Sequence, residues 1–201
     1  MGRQQPVAYQ VIILLIFVSY SEEVQYEFVS DNEDVMSDCQ DKPKGALGFD
    51  SLFDMSELTL NMSDDGVQIQ GNVTSIWDVK PTDRIQGSFS VLYFDRGSWQ
   101  PTILNIVTKE FCDVMYDERQ FWYKFWTKHV INSKDVKDKC LNVPGTKLVM
   151  ETFLTTAVFG FDVPLKEGRH KFKMDFRAFD ENNVQRENSI CFEMTGEFYK
   201  I

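Results

Sequence analysis

The stretch His170-Lys171-Phe172-Lys173-Met174-Asp175-Phe176-Arg177-Ala178-Phe179-Asp180 alternates strictly. His170, Phe172, Met174, Phe176 and Ala178 fall on one side, and Lys171, Lys173, Asp175 and Arg177 on the other. A period of two is the signature of a β-strand with one face in a core and one in solvent. Ile190 to Tyr199 repeats it, with Ile190, Phe192, Met194, Gly196 and Phe198 inward. Working outward, Val24–Val29 is a short strand, and Ser56–Met62 sends Leu58, Leu60 and Met62 one way. Ser63-Asp64-Asp65-Gly66 then forms a hairpin turn into Val67–Trp77. Arg84–Asp95 is a further strand closed by the turn Asp95-Arg96-Gly97-Ser98, and the apolar, β-branched run Lys147–Val163 reads as a central strand. Seven or eight strands with turns between them predict a mostly β, two-sheet antiparallel fold of the immunoglobulin-like sandwich kind.

Cys112 to Cys140 departs from this pattern and reads as one amphipathic helix. At 100° per residue, Val114, Met115, Phe121, Trp122, Phe125 and Trp126 share an arc of about 140°. Asp113 suits the N-cap, while Lys124, Lys128 and His129 suit the C-terminal end. Glu118 disagrees, because it projects into the middle of the apolar arc. It lies at the rim of the buried face, or the helix starts later.

Residues 1–21 read as a secretory signal peptide: Arg3, the apolar run Val11–Val18, then Ser19-Tyr20-Ser21 before Glu22. The run is too short to span a bilayer, so a secreted chain that does not cross the membrane is expected. Residues 22–201 are expected to form a single domain. The net charge of −10, which deepens when Arg3 is removed, argues against nucleic acid as a partner. Four cysteines in a secreted chain imply two disulfides, for which three connectivities are open. The preferred one staples the aromatic helix by Cys112–Cys140 and ties the first strands to the last by Cys39–Cys191. Asn61-Met62-Ser63 and Asn72-Val73-Thr74 are glycosylation sequons.

No catalytic constellation, metal-ligand spacing or cofactor motif is read, so a non-enzymatic protein is expected. His129 and His170 are expected to be structural. Glu118 with His129 is the nearest thing to an acid–base pair, and on a straight helix the two stand about 16 Å apart. The anomaly is aromatic: 17 Phe, 7 Tyr and 4 Trp. Either these residues fill a sandwich core, or the sheets splay around an apolar cavity with the helix at its mouth. Alternation is the same in both cases.

Trp77-Asp78-Val79-Lys80-Pro81, Tyr93-Phe94-Asp95-Arg96-Gly97-Ser98-Trp99-Gln100-Pro101, Asn105, Phe111-Cys112, Cys140 with Pro144-Gly145, and Cys191-Phe192-Glu193-Met194-Thr195-Gly196 follow one another in the chain. In this order they resemble the insect chemosensory protein B family of flies. More remotely they are similar to the ML lipid-recognition superfamily that includes the ganglioside activator. The resemblance implies an ML-type β-cup with an interior apolar pocket, and a role in gustatory chemosensation and pheromone response. The partner it implies is a lipid or long-chain hydrocarbon, presented to a chemosensory receptor or channel. On that reading Phe121, Trp122, Phe125 and Trp126 stand near the mouth. Phe153, Phe159, Phe172, Met174, Phe176, Phe192 and Met194 line the walls. The rival expectation is an accessory subunit with a filled interior, docking on a receptor ectodomain through exposed aromatics such as Trp99 or Tyr123.

Overall fold

The computed structural model describes residues 23–31, 35–63 and 66–201. The expected signal peptide and the Asp64-Asp65 turn lie outside the described residues. Among the described residues there are eleven strands: β1 (Val24–Ser30), β2 (Ser37–Asp38), β3 (Phe53–Asp54), β4 (Leu58–Ser63), β5 (Gly66–Ser75), β6 (Arg84–Asp95), β7 (Ser98–Thr108), β8 (Lys147–Thr155), β9 (Val158–Phe161), β10 (Gly168–Phe179) and β11 (Ile190–Lys200). They form two antiparallel sheets, as the alternation predicts. The larger runs β7-β6-β10-β11-β1-β9 with β2 added on β11; in the smaller, β5 pairs with β8 on one side and with β3 and β4 on the other.

The two strands that alternate most cleanly, β10 and β11, are the centre of the larger sheet, paired from Gly168↔Phe198 to Phe176↔Ile190. β6 and β7 are joined by a two-residue turn in which Arg96 (φ 49°) and Gly97 (φ 82°) both take positive φ. That is the hairpin turn whose twist matches the strands it joins.

Four features differ from what the sequence predicts. The single helix from Cys112 to Cys140 is three short helices, α1 (Phe111–Val114), α2 (Phe121–Phe125) and α3 (Ser133–Val136), with a 3-10 turn at Thr127–His129. The break has a local cause: the Asp117 carboxylate accepts the Arg119 backbone N–H (3.0 Å), and Gln120 is extended (φ −86°, ψ 142°). An Asp side chain offers the backbone a competing partner and ends the helix. Glu118 is therefore exposed in the turn between α1 and α2, so a break rather than a buried rim or a later start explains its position, and Asp113 lies inside α1 instead of capping it. Trp122 bridges the gap by donating its indole N–H to Met115 O (3.1 Å).

The run Lys147–Val163 is two strands in different sheets, and both are edges rather than a centre. A bulge opposite Gln70 moves the inward side from Leu148 and Met150 to Phe153, and an odd shift of this kind exchanges the faces. The chain then leaves the smaller sheet and β9 pairs with β1 in the larger one. β7 is a long strand that alternation did not mark. Lastly, the supposedly solvated face of β10 and β11 is covered, for Lys171, Asp175 and Glu193 are all buried.

Both expected disulfides form, Cys39–Cys191 and Cys112–Cys140, with Cα–Cα distances of 5.6 and 5.4 Å. The first holds the segment after β2 against β11, where Cys39, Ala46 and Cys191 make a small buried cluster. The second brackets the helical segment. Among the described residues no helix is long and apolar enough to cross a membrane.

Candidate functional site

The inward side of the larger sheet carries two separate packed clusters. The main one lies between the sheets and includes Trp77, Phe89, Phe111, Trp122, Phe176 and Phe192. The second, around Tyr26, Phe28, Val91 and Phe198, is closed by Phe159 and Phe161 of β9 and by Leu165. Tyr26 fixes that closure, since its hydroxyl donates to Leu165 O (3.1 Å) and accepts from Leu165 N–H (2.9 Å).

Between the clusters, at mid-length of the two central strands, Phe172, Met174 and Met194 face inward and yet are only half-buried. Phe172 stands opposite Met194 in the register, and Met174 opposite Phe192. Inward positions on central strands are ordinarily the most enclosed places in a sandwich. Phe172 and Met194 pack on the second cluster and Met174 on the main one, and each keeps part of its surface open to solvent where the two clusters adjoin. Phe159 lies 5.1 Å from the Phe172 ring, and Phe125 of α2 lies 4.9 Å from Phe159. The aromatic rim thus runs from the helical segment to the sheet. The Lys124 ammonium lies 5.5 Å from the centre of the Phe125 ring. His170, two residues along β10, is fully buried against Tyr93 and Phe198. Its Nδ1–H donates to Gly168 O (2.8 Å), its Nε2 has no partner, and burial pushes its pKa down.

The eleven residues expected to hold ligand sort into three groups. Trp122, Phe153, Phe176 and Phe192 are buried in the main cluster. Phe121 is 40 % exposed, edge-on to Phe89. Phe125, Trp126, Phe159, Phe172, Met174 and Met194 are half-buried, and all but Trp126 are those just described. Trp126 leans on Phe53 instead, 5.5 Å away. Phe28, 5.2 Å from Phe172, belongs to the same aromatic group; its alternation in β1 is the sequence signal for it.

Glu118 and His129 do not meet. His129 Nδ1 lies 2.6 Å from Glu151 Oε1, with its ring stacked on Phe153. Among the described residues no group of three His, Cys, Asp or Glu side chains could hold a metal. Two hollows are lined by none of those eleven residues. One is a trough of about 330 Å³ on the outer face of the larger sheet. The other is a dish of about 170 Å³ beside Tyr116, Tyr123 and Lys137, where burial pushes the Tyr116 hydroxyl up to about 12. Of the sequon residues, Asn61 is exposed, and Asn72 is half-buried with Nδ2 donating to Glu57 (2.7 Å).

What fold and site define is a mostly β, two-disulfide protein whose central strands hold partly exposed apolar side chains on their inward face. In comparison with known proteins the chain matches no family model and no curated protein.

Proposed function

We propose that the protein is a secreted, non-enzymatic carrier that lays the chain of a lipid or long hydrocarbon into the cleft between Phe125, Phe159, Phe172, Met174 and Met194. The observation that carries this reading is the incomplete burial of Phe172, Met174 and Met194 at the centre of the larger sheet. Burial of a ligand chain there contributes up to about 0.8 kcal/mol per CH₂. The five cleft side chains are apolar, so selection depends on length and width rather than on hydrogen bonds from them. Two disulfides suit an oxidising compartment, and the resemblance to the chemosensory protein B family supports a place in gustatory pheromone detection.

The test is uptake of a fluorescent fatty-acyl probe, with native mass spectrometry of the protein from secretory cells. Phe125→Asp is expected to abolish uptake and leave the thermal midpoint nearly unchanged. Equal loss of uptake and stability would return Phe125 to an ordinary packing role and remove the carrier.

One observation favours the second reading, an accessory subunit. The edge strand β7 carries no charged residue from Ser98 to Thr108 and exposes Ile103 (76 %), Val107 (55 %) and Ile106 (44 %). Trp99 does not serve that reading, because its ring covers Lys171 and is half-buried. A clean apo mass with receptor-ectodomain binding through β7 would select it.

A further inference from the structure

The outer face of the larger sheet carries a trough with a chemistry of its own. β6 runs between β7 and β10, and on its outer side it presents the small residues Ser88 and Ser90. Longer side chains rise on both flanks, Lys173, Asp175 and Arg177 from β10 and Pro101 and Asn105 from β7, while Pro43 overhangs from the disulfide-held segment. Small residues on a middle strand between long ones on its neighbours make a groove, here of about 330 Å³. A bulge deepens one end: Ser90 pairs with Asn105 and Leu92 with Pro101, so three residues of β7 oppose Val91 alone. Thr102 closes the irregular turn by donating its hydroxyl to Val91 O (2.7 Å).

The register sorts the trough into rows. One row across the strands is Lys173, Ser90 and Asn105; the next, toward the bulge, is Lys171, Leu92 and Pro101. Of the charged side chains beside the trough, three are paired. Lys171 is taken by Glu193 (3.1 Å), and Arg177 Nε lies 2.6 Å from Asp175 Oδ1. Lys173 stands opposite Glu193 in the register, but that carboxylate gives both oxygens to Lys171. Among the described residues Lys173 has no ion-pair partner. Across the trough Ser90 Oγ donates to Asn105 Oδ1 (3.0 Å), which fixes the amide and leaves its Nδ2–H₂ as a donor. An ammonium and an amide donor therefore face each other over a serine, with apolar surface beside them.

We propose that this trough binds an organic carboxylate, its head held between Lys173 Nζ and Asn105 Nδ2 above Ser90 and its hydrocarbon part along Leu92 and Pro101. A carboxylate matches the excess cation and accepts from both donors, and the adjoining Leu92 and Pro101 remove a short alkyl chain from water. The site lies on the opposite side of the sheet from the cleft and does not depend on it.

Octanoate, 1-octanol and acetate are titrated into the full mature protein by calorimetry, with NMR shifts locating the contact. Octanoate is expected to saturate one site, with acetate and 1-octanol each at least about tenfold weaker. Lys173→Gln and Asn105→Ala are expected to weaken octanoate about tenfold each and to leave 1-octanol unchanged. Phe125→Asp is expected to have no effect on octanoate. Octanoate binding that survives Lys173→Gln, that 1-octanol matches, or that disappears in Phe125→Asp would overturn the site, as would the absence of saturable binding. Circular dichroism of each variant against the wild type separates loss of the site from loss of the fold.

Discussion

Lys171 and Glu193 form an ion pair with side chains only 3 % and 2 % exposed, Nζ lying 3.2 and 3.1 Å from the two carboxylate oxygens. Both belong to the outward register of β10 and β11, the side that alternation assigns to water. The cover comes from elsewhere in the chain: the Trp99 ring lies 4.5 Å from Lys171 Nζ, and the segment after β2 is fastened alongside by Cys39–Cys191.

Removing one partner of such a pair strands the other in an apolar setting. Lys171→Met is expected to lower stability by about 3–5 kcal/mol, while the double variant Lys171→Met with Glu193→Leu recovers most of that loss. Urea denaturation of the three proteins checks it. A single variant within about 1 kcal/mol of wild type would mean that the pair is hydrated after all.

His170 sets an acid limit of a different kind. Burial lowers its pKa and outweighs the opposing bond to Gly168 O, so the neutral form is favoured in the folded protein. The unfolded chain takes up a proton below about pH 6.5. Between the lowered folded value and about 6.5 the unfolded state binds more protons, so stability falls as pH falls through that window and is level above it. His170→Phe is expected to flatten the thermal midpoint between about pH 7 and about pH 5.5. An unchanged slope in that variant would assign the acid response to other groups.

Where side chains alternate or cysteines stand far apart, the chain discloses its structure. β6, β10 and β11 lie where their patterns place them, and the two disulfides pair the residues that best join the ends and bracket the aromatic segment. What stays hidden depends on interactions at other ranges. β7 loses its pattern to Pro101 and to the bulge in which three residues face Val91. The helix break depends on one Asp117 side chain that periodicity does not weigh, although Glu118 in the apolar arc was a visible warning. The burial of Lys171 depends on Trp99 and on a segment more than a hundred residues away. As for the site, alternation finds the inward residues but does not rank them. Trp122 and Phe176 are buried, while Phe172 and Met194 pack on the second cluster and stay half-buried, a difference that periodicity does not carry.

The two disulfides should differ in weight. Cys39–Cys191 spans 152 residues and Cys112–Cys140 spans 28. In the chain-entropy account their removal costs about 5 and about 3.5 kcal/mol. Paired Cys→Ala variants in urea are expected to keep that order. The function should rank the other way, because the shorter loop holds Phe125 at the cleft. Loss of fatty-acyl probe uptake is expected in Cys112→Ala/Cys140→Ala under conditions where both variants remain folded. If uptake is retained there, α2 has no part in the mouth.

Met194 offers a decisive change at the cleft itself. It faces inward from β11 opposite Phe172, half-buried, with the second cluster on one side and the main one on the other. A larger side chain in a filled core forces strain of about 1–3 kcal/mol. The same change in a space that already admits solvent meets no such resistance and gains buried apolar area. Met194→Trp is therefore expected to hold or raise the thermal midpoint and to block uptake of a hydrocarbon chain. At Phe176, one turn of the alternation beyond Met174 and 4 % exposed, the corresponding Phe176→Trp is expected to destabilise. Should both substitutions destabilise alike, the centre of the sheet is closely packed and the cleft does not accept a ligand. If Met194→Trp is tolerated and uptake persists, the chain enters elsewhere.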